Sequence, residues 1–162
     1  MNRYMNLIGQ NAKKASLVKV NTVVKNKILK RYALLLDKER NLIIKENIKD
    51  IKFAQKKKLK NNLIDRLTIG HNELNNIRNS INKIIKLKDP VDNILEKWSR
   101  PSGLKIKKVS IPIGVIGVIY ESRPNVTSDV ASLCFKSGNA VILKGGSEAI
   151  NTNKILAKLF RK

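Results

Sequence analysis

The chain has 162 residues, of which 42% are hydrophobic but only 4% aromatic, so its core must be built from Ile, Leu and Val. Lys and Arg number 34 against 12 acids, a formal charge of +22 that first suggests an anionic partner such as nucleic acid. The positive charge runs along the whole chain instead of forming one stripe, and the dense run Lys56-Lys57-Lys58 has no aromatics interleaved for base stacking. No specific nucleic-acid site is therefore expected, and that run reads as a solvated helix end. The single cysteine excludes an internal disulfide. The first ten residues lack an apolar segment of signal-peptide length, and the apolar stretch Ile111 to Tyr120 is too short for a membrane span. A soluble cytoplasmic protein without a membrane partner is expected.

The first ninety residues predict helices. Leu7, Ile8, Ala12, Ala15 and Ser16 share one face. Asn21-Thr22 is suited to capping a second helix, whose apolar residues are Val24, Ile28, Ala33, Leu35 and Leu36. A third pattern contains Leu42, Ile43, Ile44, Ile48 and Ile51. A short helix is expected over Asn62 to Leu67. A longer one over Asn72 to Leu87 ends at Asp89-Pro90.

From Asn93 the period shortens. Ile94 to Trp98 and the alternating Leu104, Ile106, Val109 and Ile111 predict a hairpin with one solvated face, joined by the turn Arg100-Pro101-Ser102-Gly103. Gly114 to Tyr120 is nearly all apolar and predicts a parallel strand covered on both faces. A loop at Arg123-Pro124-Asn125 leads into a helix over Val126 to Lys136, closed by Ser137-Gly138. A second buried strand, Ala140 to Leu143, is followed by a loop, Lys144 to Ser147, and a helix, Glu148 to Phe160. This spacing is a βαβ unit followed by a helix. Three parts result: helices over 1–92, a hairpin over 93–111, and a βαβα unit over 112–162.

Ligands of open parallel sheets bind beyond the carboxyl ends of the strands. That directs attention to the loops Glu121 to Asn125 and Lys144 to Glu148. Gly145 and Gly146 permit close backbone approach, a following helix N-terminus attracts anions, and Lys144 adds a positive charge. These residues fit an anionic ligand, but equally a plain strand-to-helix turn. Gly114-x-x-Gly117 is no dinucleotide fingerprint. Val130, Leu133, Cys134 and Ser137 share a helical face, which predicts a thiol packed as a small hydrophobe. His71 is expected on the surface near a helix start, and Trp98 on the hairpin.

Two segments carry a resemblance. Ile113-Gly-Val-Ile-Gly-Val-Ile-Tyr-Glu-Ser-Arg-Pro-Asn-Val-Thr127 and Asp129-Val-Ala-Ser-Leu-Cys-Phe-Lys-Ser-Gly-Asn-Ala-Val-Ile-Leu-Lys-Gly-Gly146 resemble the glutamate-5-semialdehyde dehydrogenase family, within the aldehyde dehydrogenase superfamily. Asn11 to Ser16, Asp65 to Leu67 and Asp89 to Val91 also resemble it. The resemblance implies an α/β chain: a helical arm, an oligomerisation-type hairpin and the start of a Rossmann-like cofactor domain, without the catalytic domain. It implies NADPH-dependent reduction of γ-glutamyl phosphate to glutamate 5-semialdehyde in proline biosynthesis, through a cysteine thioester. Asn125 then matches the oxyanion-hole asparagine. Lys144 matches the lysine at the NADP(H) adenosine ribose and 2′-phosphate, with Gly145, Gly146 and Ser147 lining that pocket. Glu121 and Arg123 flank the active-site loop, the charge of Arg123 suiting the substrate phosphate, and the catalytic cysteine lies beyond Lys162. A homo-oligomer or a missing C-terminal half is the implied partner. A split enzyme, or a non-enzymatic basic scaffold derived from the fold, are the alternatives.

Overall fold

The computed structural model describes residues 3–162, and Met1 and Asn2, part of the N-terminal segment read in the sequence, lie outside the described residues. Five helices come first: α1 (Arg3–Ser16), α2 (Thr22–Lys38), α3 (Arg40–Lys56), α4 (Asn61–Leu67) and α5 (His71–Lys86). The Asn21 side chain caps α2 by accepting from the Val24 amide at 2.9 Å. Glu73 closes the start of α5 by accepting from the Gly70 amide at 2.8 Å.

Two helices bury a different stripe from the one their apolar residues predict. In α2 the inward residues are Lys25, Leu29, Tyr32, Ala33 and Leu36, while Val24 is exposed. The rotation brings Lys25 to Asp89, in the turn after α5, at 3.0 Å, and Thr22 donates to the same carboxylate at 2.8 Å. Burial alone would raise the Asp89 pKa, but the donors Lys25, Val91 N and Thr22 outweigh it and hold the carboxyl below its usual range. In α3 the inward residues are Ile43, Asn47, Asp50 and Ala54, and Ile48 is exposed. A polar pair replaces aliphatics there because it binds backbone, as shown below.

The core lies between α2, α5 and the last helix, around Leu29, Leu36, Leu74, Ile81, Leu156 and Leu159, all nearly inaccessible. Each such side chain contributes about 1.5–3 kcal/mol by leaving water. Tyr32 and Phe160 meet edge to face, with ring centroids 4.8 Å apart. The amino-terminal helices and the carboxyl-terminal helix therefore share one core.

Strands β1 (Ile94–Ser99) and β2 (Lys105–Val109) form an antiparallel hairpin with a bulge at Leu95 and Trp98 opposite Ile106. Gly103, with φ +83°, closes its turn onto Arg100. The expected single solvated face is corrected: nearly every hairpin residue on both faces is exposed.

Strand β3 (Val115–Ile119), helix α6 (Asn125–Lys136), strand β4 (Ala140–Lys144), a 3-10 turn (Ser147–Ala149) and helix α7 (Ile150–Phe160) complete the order. The two strands pair in parallel across α6, Val115 with Ala140 through Ile119 with Lys144. Neither strand is fully buried, and Ile119 is 79% exposed. This corrects the expectation of strands covered on both faces, because β3 and β4 form only a two-stranded sheet. Gly114 precedes β3 instead of lying within it, at φ +115°, and its amide donates to Asn139 Oδ1.

Candidate functional site

The parallel register brings the two candidate loops to one end of the sheet. Ile119 lies opposite Lys144, and the Tyr120 amide donates to the Lys144 carbonyl at 3.1 Å. Beyond that point the loops clamp each other. Glu148 Oε1 accepts from the Ser122 amide at 2.7 Å and from its hydroxyl at 3.0 Å. Burial alone would raise the Glu148 pKa, but its own amide and both Ser122 donors outweigh that and lower it. Tyr120 Oη meets Thr127 Oγ1 at 2.5 Å, and Thr127 donates to Asn153 at 2.9 Å. A side chain at Gly145 would strike Asn153 and Tyr120, and one at Gly146 would strike the Glu148 carboxylate. A side chain at either position would therefore displace the Asn153 or Glu148 side chain from the bonds it makes here.

The start of the last helix is not an open anion site, which corrects one expectation. The Asn151 amide donates to Asp50 Oδ1 at 3.1 Å and the Thr152 amide to Asp50 Oδ2 at 2.8 Å. The Thr152 hydroxyl donates to Oδ2 at 2.7 Å. Asp50, 1% exposed, is the anion at this helix start. Asn47 extends the network, donating to Leu67 O and Thr152 Oγ1 and accepting from the Ile69 amide. No local pattern around Ser147 could have revealed a cap 101 residues earlier in the chain. Lys144, by contrast, is exposed and makes no hydrogen bond or ion pair through its side chain among the described residues. Ser147 is exposed and opens the 3-10 turn.

Asn125 opens α6, correcting its placement in the loop. Its amide nitrogen donates to Asp129 Oδ2 at 3.3 Å, one turn further along. That bond uses one of two amide protons, so a second remains available to a ligand. Asn125, Pro124 and Asp129 line a cleft of about 460 Å³, whose other side is formed by Asp65 and Arg66 at the end of α4, Thr68 and Ile69 in the turn after it, and Glu73 and Ile77 of α5. Glu121 and Arg123 are exposed and do not line this cleft. Asp65 and Arg66 were not read as cleft residues because α4 is distant in the chain from β3 and α6.

Cys134 is 7% exposed, and burial pushes its thiol pKa up. Leu133, assigned to the same inward face, is exposed instead. A raised pKa keeps the thiol neutral and unreactive at neutral pH. Alkylation of native Cys134 is expected at the rate of unfolding, measured against the same reagent in denaturant; rapid labelling of native protein would contradict this. His71 is exposed at the first position of α5, and Trp98 sits half-exposed on the hairpin. Among the described residues, no group of three His, Cys, Asp or Glu side chains could hold a metal ion. No described helix is long and apolar enough to cross a membrane.

No family model matches the chain. Individual proteins do. A gamma-glutamyl phosphate reductase of Hydrogenobaculum is 53% identical over 146 residues, 90% of this chain and 33% of that protein. One of Clostridium tetani is 45% identical over 161 residues, 98% of this chain and 38% of that protein. The solved gamma-glutamyl phosphate reductase of Thermotoga maritima superposes with a TM-score of 0.91 at 39% identity, over 94% of this chain and 37% of that one. In sequence and in fold, the chain matches the amino-terminal part of gamma-glutamyl phosphate reductases. It spans about a third of the length of these relatives. A Listeria monocytogenes chain described as an aldehyde dehydrogenase, at 16% identity and a TM-score of 0.63, shares the fold. The architecture is thus α/β of aldehyde dehydrogenase type: helical arm, hairpin, then the start of a parallel βαβ unit.

Proposed function

We propose that the chain is the amino-terminal part of a cytoplasmic, NADPH-dependent γ-glutamyl phosphate reductase of proline biosynthesis, forming glutamate 5-semialdehyde and phosphate. The observation that carries the reading is the Tyr120–Lys144 backbone bond, which joins two loops of the kind that flank ligands at the carboxyl end of a parallel sheet. Asn125 donates to the oxygen that becomes an oxyanion when the acyl phosphate is attacked. Lys144, exposed and without an ion-pair partner among the described residues, offers its ammonium to the cofactor's ribose and 2′-phosphate, with Gly145, Gly146 and Ser147 beside it. Those residues fit the adenosine end of NADP(H). The helix start beyond them, occupied by Asp50, excludes the pyrophosphate from the α7 amides. When bound, the cofactor supplies the hydride. Arg123 and Glu121, both exposed, flank the active-site loop, and the charge of Arg123 suits the substrate phosphate.

The nucleophilic thiolate is assigned to the two thirds of the relatives' length that this chain does not span, since Cys134 is buried with a raised pKa. That remainder, or a second copy, would also cover the apolar surface at Ile111, Ile113 and Ile119, each at least 78% exposed.

Lys144→Ala tests the cofactor assignment. In the chain completed by the carboxyl-terminal part of a relative, the Michaelis constant for NADPH should rise about tenfold, the loss of roughly one charge-assisted hydrogen bond. It should rise much less for NADH, which lacks the 2′-phosphate. Equal constants for wild type and variant would remove the assignment.

A further inference from the structure

One acid between the two loops has no part in the proposed reaction. Glu148 reaches from the loop after β4 to the backbone of the loop after β3, where Oε1 accepts from the Ser122 amide at 2.7 Å and from its hydroxyl at 3.0 Å. The backbone is strained at that point. Ser122 has φ +36°, in the left-handed region that a residue with a Cβ rarely adopts. Among the described residues Lys58 and Asp92 also have positive φ without being glycine, but both are exposed, whereas Ser122 is 6% exposed. Such a conformation persists only where its surroundings impose it. Two hydrogen bonds to one ionised carboxylate impose it here, each about twice as strong as a bond between neutral groups. From Ser122 to Asn125 the chain has little freedom left. Arg123 is confined by the proline after it, and Pro124 is buried with φ −61°. The Val126 and Thr127 amides close a turn onto the Arg123 and Pro124 carbonyls at 3.0 and 3.1 Å. On the far side of Asn125, Thr127 is held by Tyr120 and Asn153.

We infer that Glu148 is a positioning residue for the oxyanion donor: by holding Ser122 in its strained conformation it sets the place of the Asn125 amide, on the reading of Asn125 as the donor to the reacting oxygen. In this role Glu148 touches neither substrate nor cofactor. An oxyanion donor works only within hydrogen-bond distance of the point where charge develops, and a misplacement of about 1 Å can cost on the order of a hundredfold in rate. Release of Ser122 lets the segment before α6 relax, and Asn125, three residues further on, moves with it. Lys144 does not, because it belongs to β4 and its carbonyl accepts from the Tyr120 amide. Loss of Glu148 therefore slows the chemical step and spares cofactor binding.

The test is a double-mutant cycle in the chain completed by the carboxyl-terminal part of a relative, with kcat and the Michaelis constant for NADPH measured on γ-glutamyl phosphate. Asn125→Ala should lower kcat about a hundredfold, the usual effect of removing one oxyanion donor. Glu148→Ala should lower kcat about thirtyfold, since the donor is displaced and not removed, with the Michaelis constant unchanged within about twofold. In the Asn125→Ala background the same substitution should cost under about twofold, because no donor is left to misplace. A general loss of structure would lower kcat in both backgrounds. Glu148→Gln keeps an acceptor oxygen without the charge, so its loss should be about fivefold and should likewise vanish beside Asn125→Ala. That milder variant decides the matter if Glu148→Ala does not fold. An unchanged kcat for both Glu148 variants, a raised Michaelis constant in place of a lowered kcat, or equal losses in the two backgrounds would overturn the inference while the effect of Asn125→Ala left the oxyanion reading standing. An unchanged kcat for Asn125→Ala would sink that reading and the inference with it, and no turnover by the completed wild-type chain would sink the reductase reading as well.

Discussion

Asp50→Ala is expected to lower the folding stability by about 3 kcal/mol, the largest effect of any single substitution outside the apolar core. The carboxylate accepts from Asn151 N, Asn151 Nδ2, Thr152 N and Thr152 Oγ1, and it is 1% exposed. Alanine removes the cap of the last helix, worth about 1 kcal/mol by itself. It also leaves the Thr152 amide and hydroxyl without this acceptor in a buried site, at roughly 1–3 kcal/mol for unsatisfied groups. For a chain of this size the melting midpoint should fall by roughly 6–12 °C. Asp50→Asn keeps one acceptor and should cost about half as much. Lys108→Ala breaks the exposed pair with Glu96 and is expected to change stability by under about 0.5 kcal/mol. Chemical denaturation of the three variants checks the order. A cost for Asp50→Ala comparable to that for Lys108→Ala would mean that the cap does not hold the helix. The 3-10 turn just before this helix holds Glu148 against Ser122, so the same cap also bears on the loop that follows Lys144.

Element order was legible in the sequence because long segments with a single period leave little ambiguity. The α5 stripe Leu74, Ile77, Ile81 and Ile84 is read directly from its spacing. So is the turn at Gly103, where φ +83° favours glycine. Errors arose where a polar residue won an inward position by a long-range partner. Lys25 turns inward to meet Asp89, and Asn47 and Asp50 turn inward to satisfy backbone at Leu67, Ile69 and Thr152. Hydrophobic periodicity does not register such partners. The strands failed differently: their composition is that of buried strands, yet they are half-open because the sheet has only two members. The loops beyond β3 and β4 were legible as polar segments following apolar strands, whereas Asn125 was read as loop although it opens α6. The cleft itself was not legible, because its far wall comes from α4, α5 and the turn between them.

The second large effect is complete: residues 1–162 alone should reduce no γ-glutamyl phosphate. Hydride reduction of an acyl phosphate through a thioester requires a thiolate aligned with the oxyanion donor. On the proposed reading Asn125 is that donor, but a donor stabilises nothing unless a nucleophile attacks. The single thiol is Cys134, 7% exposed, with a pKa raised by burial. It sits on α6 nine residues beyond Asn125, two and a half turns along the helix and away from the first turn that lines the cleft. The two strands also make only part of a nucleotide-binding sheet. The most direct measurement is NADPH oxidation by purified residues 1–162 with γ-glutamyl phosphate, alongside a Cys134→Ser control and the same chain completed by the carboxyl-terminal part of a relative. The account predicts no turnover above the control for the chain alone, and turnover for the completed protein. Turnover by the chain alone that Cys134→Ser abolishes would contradict it.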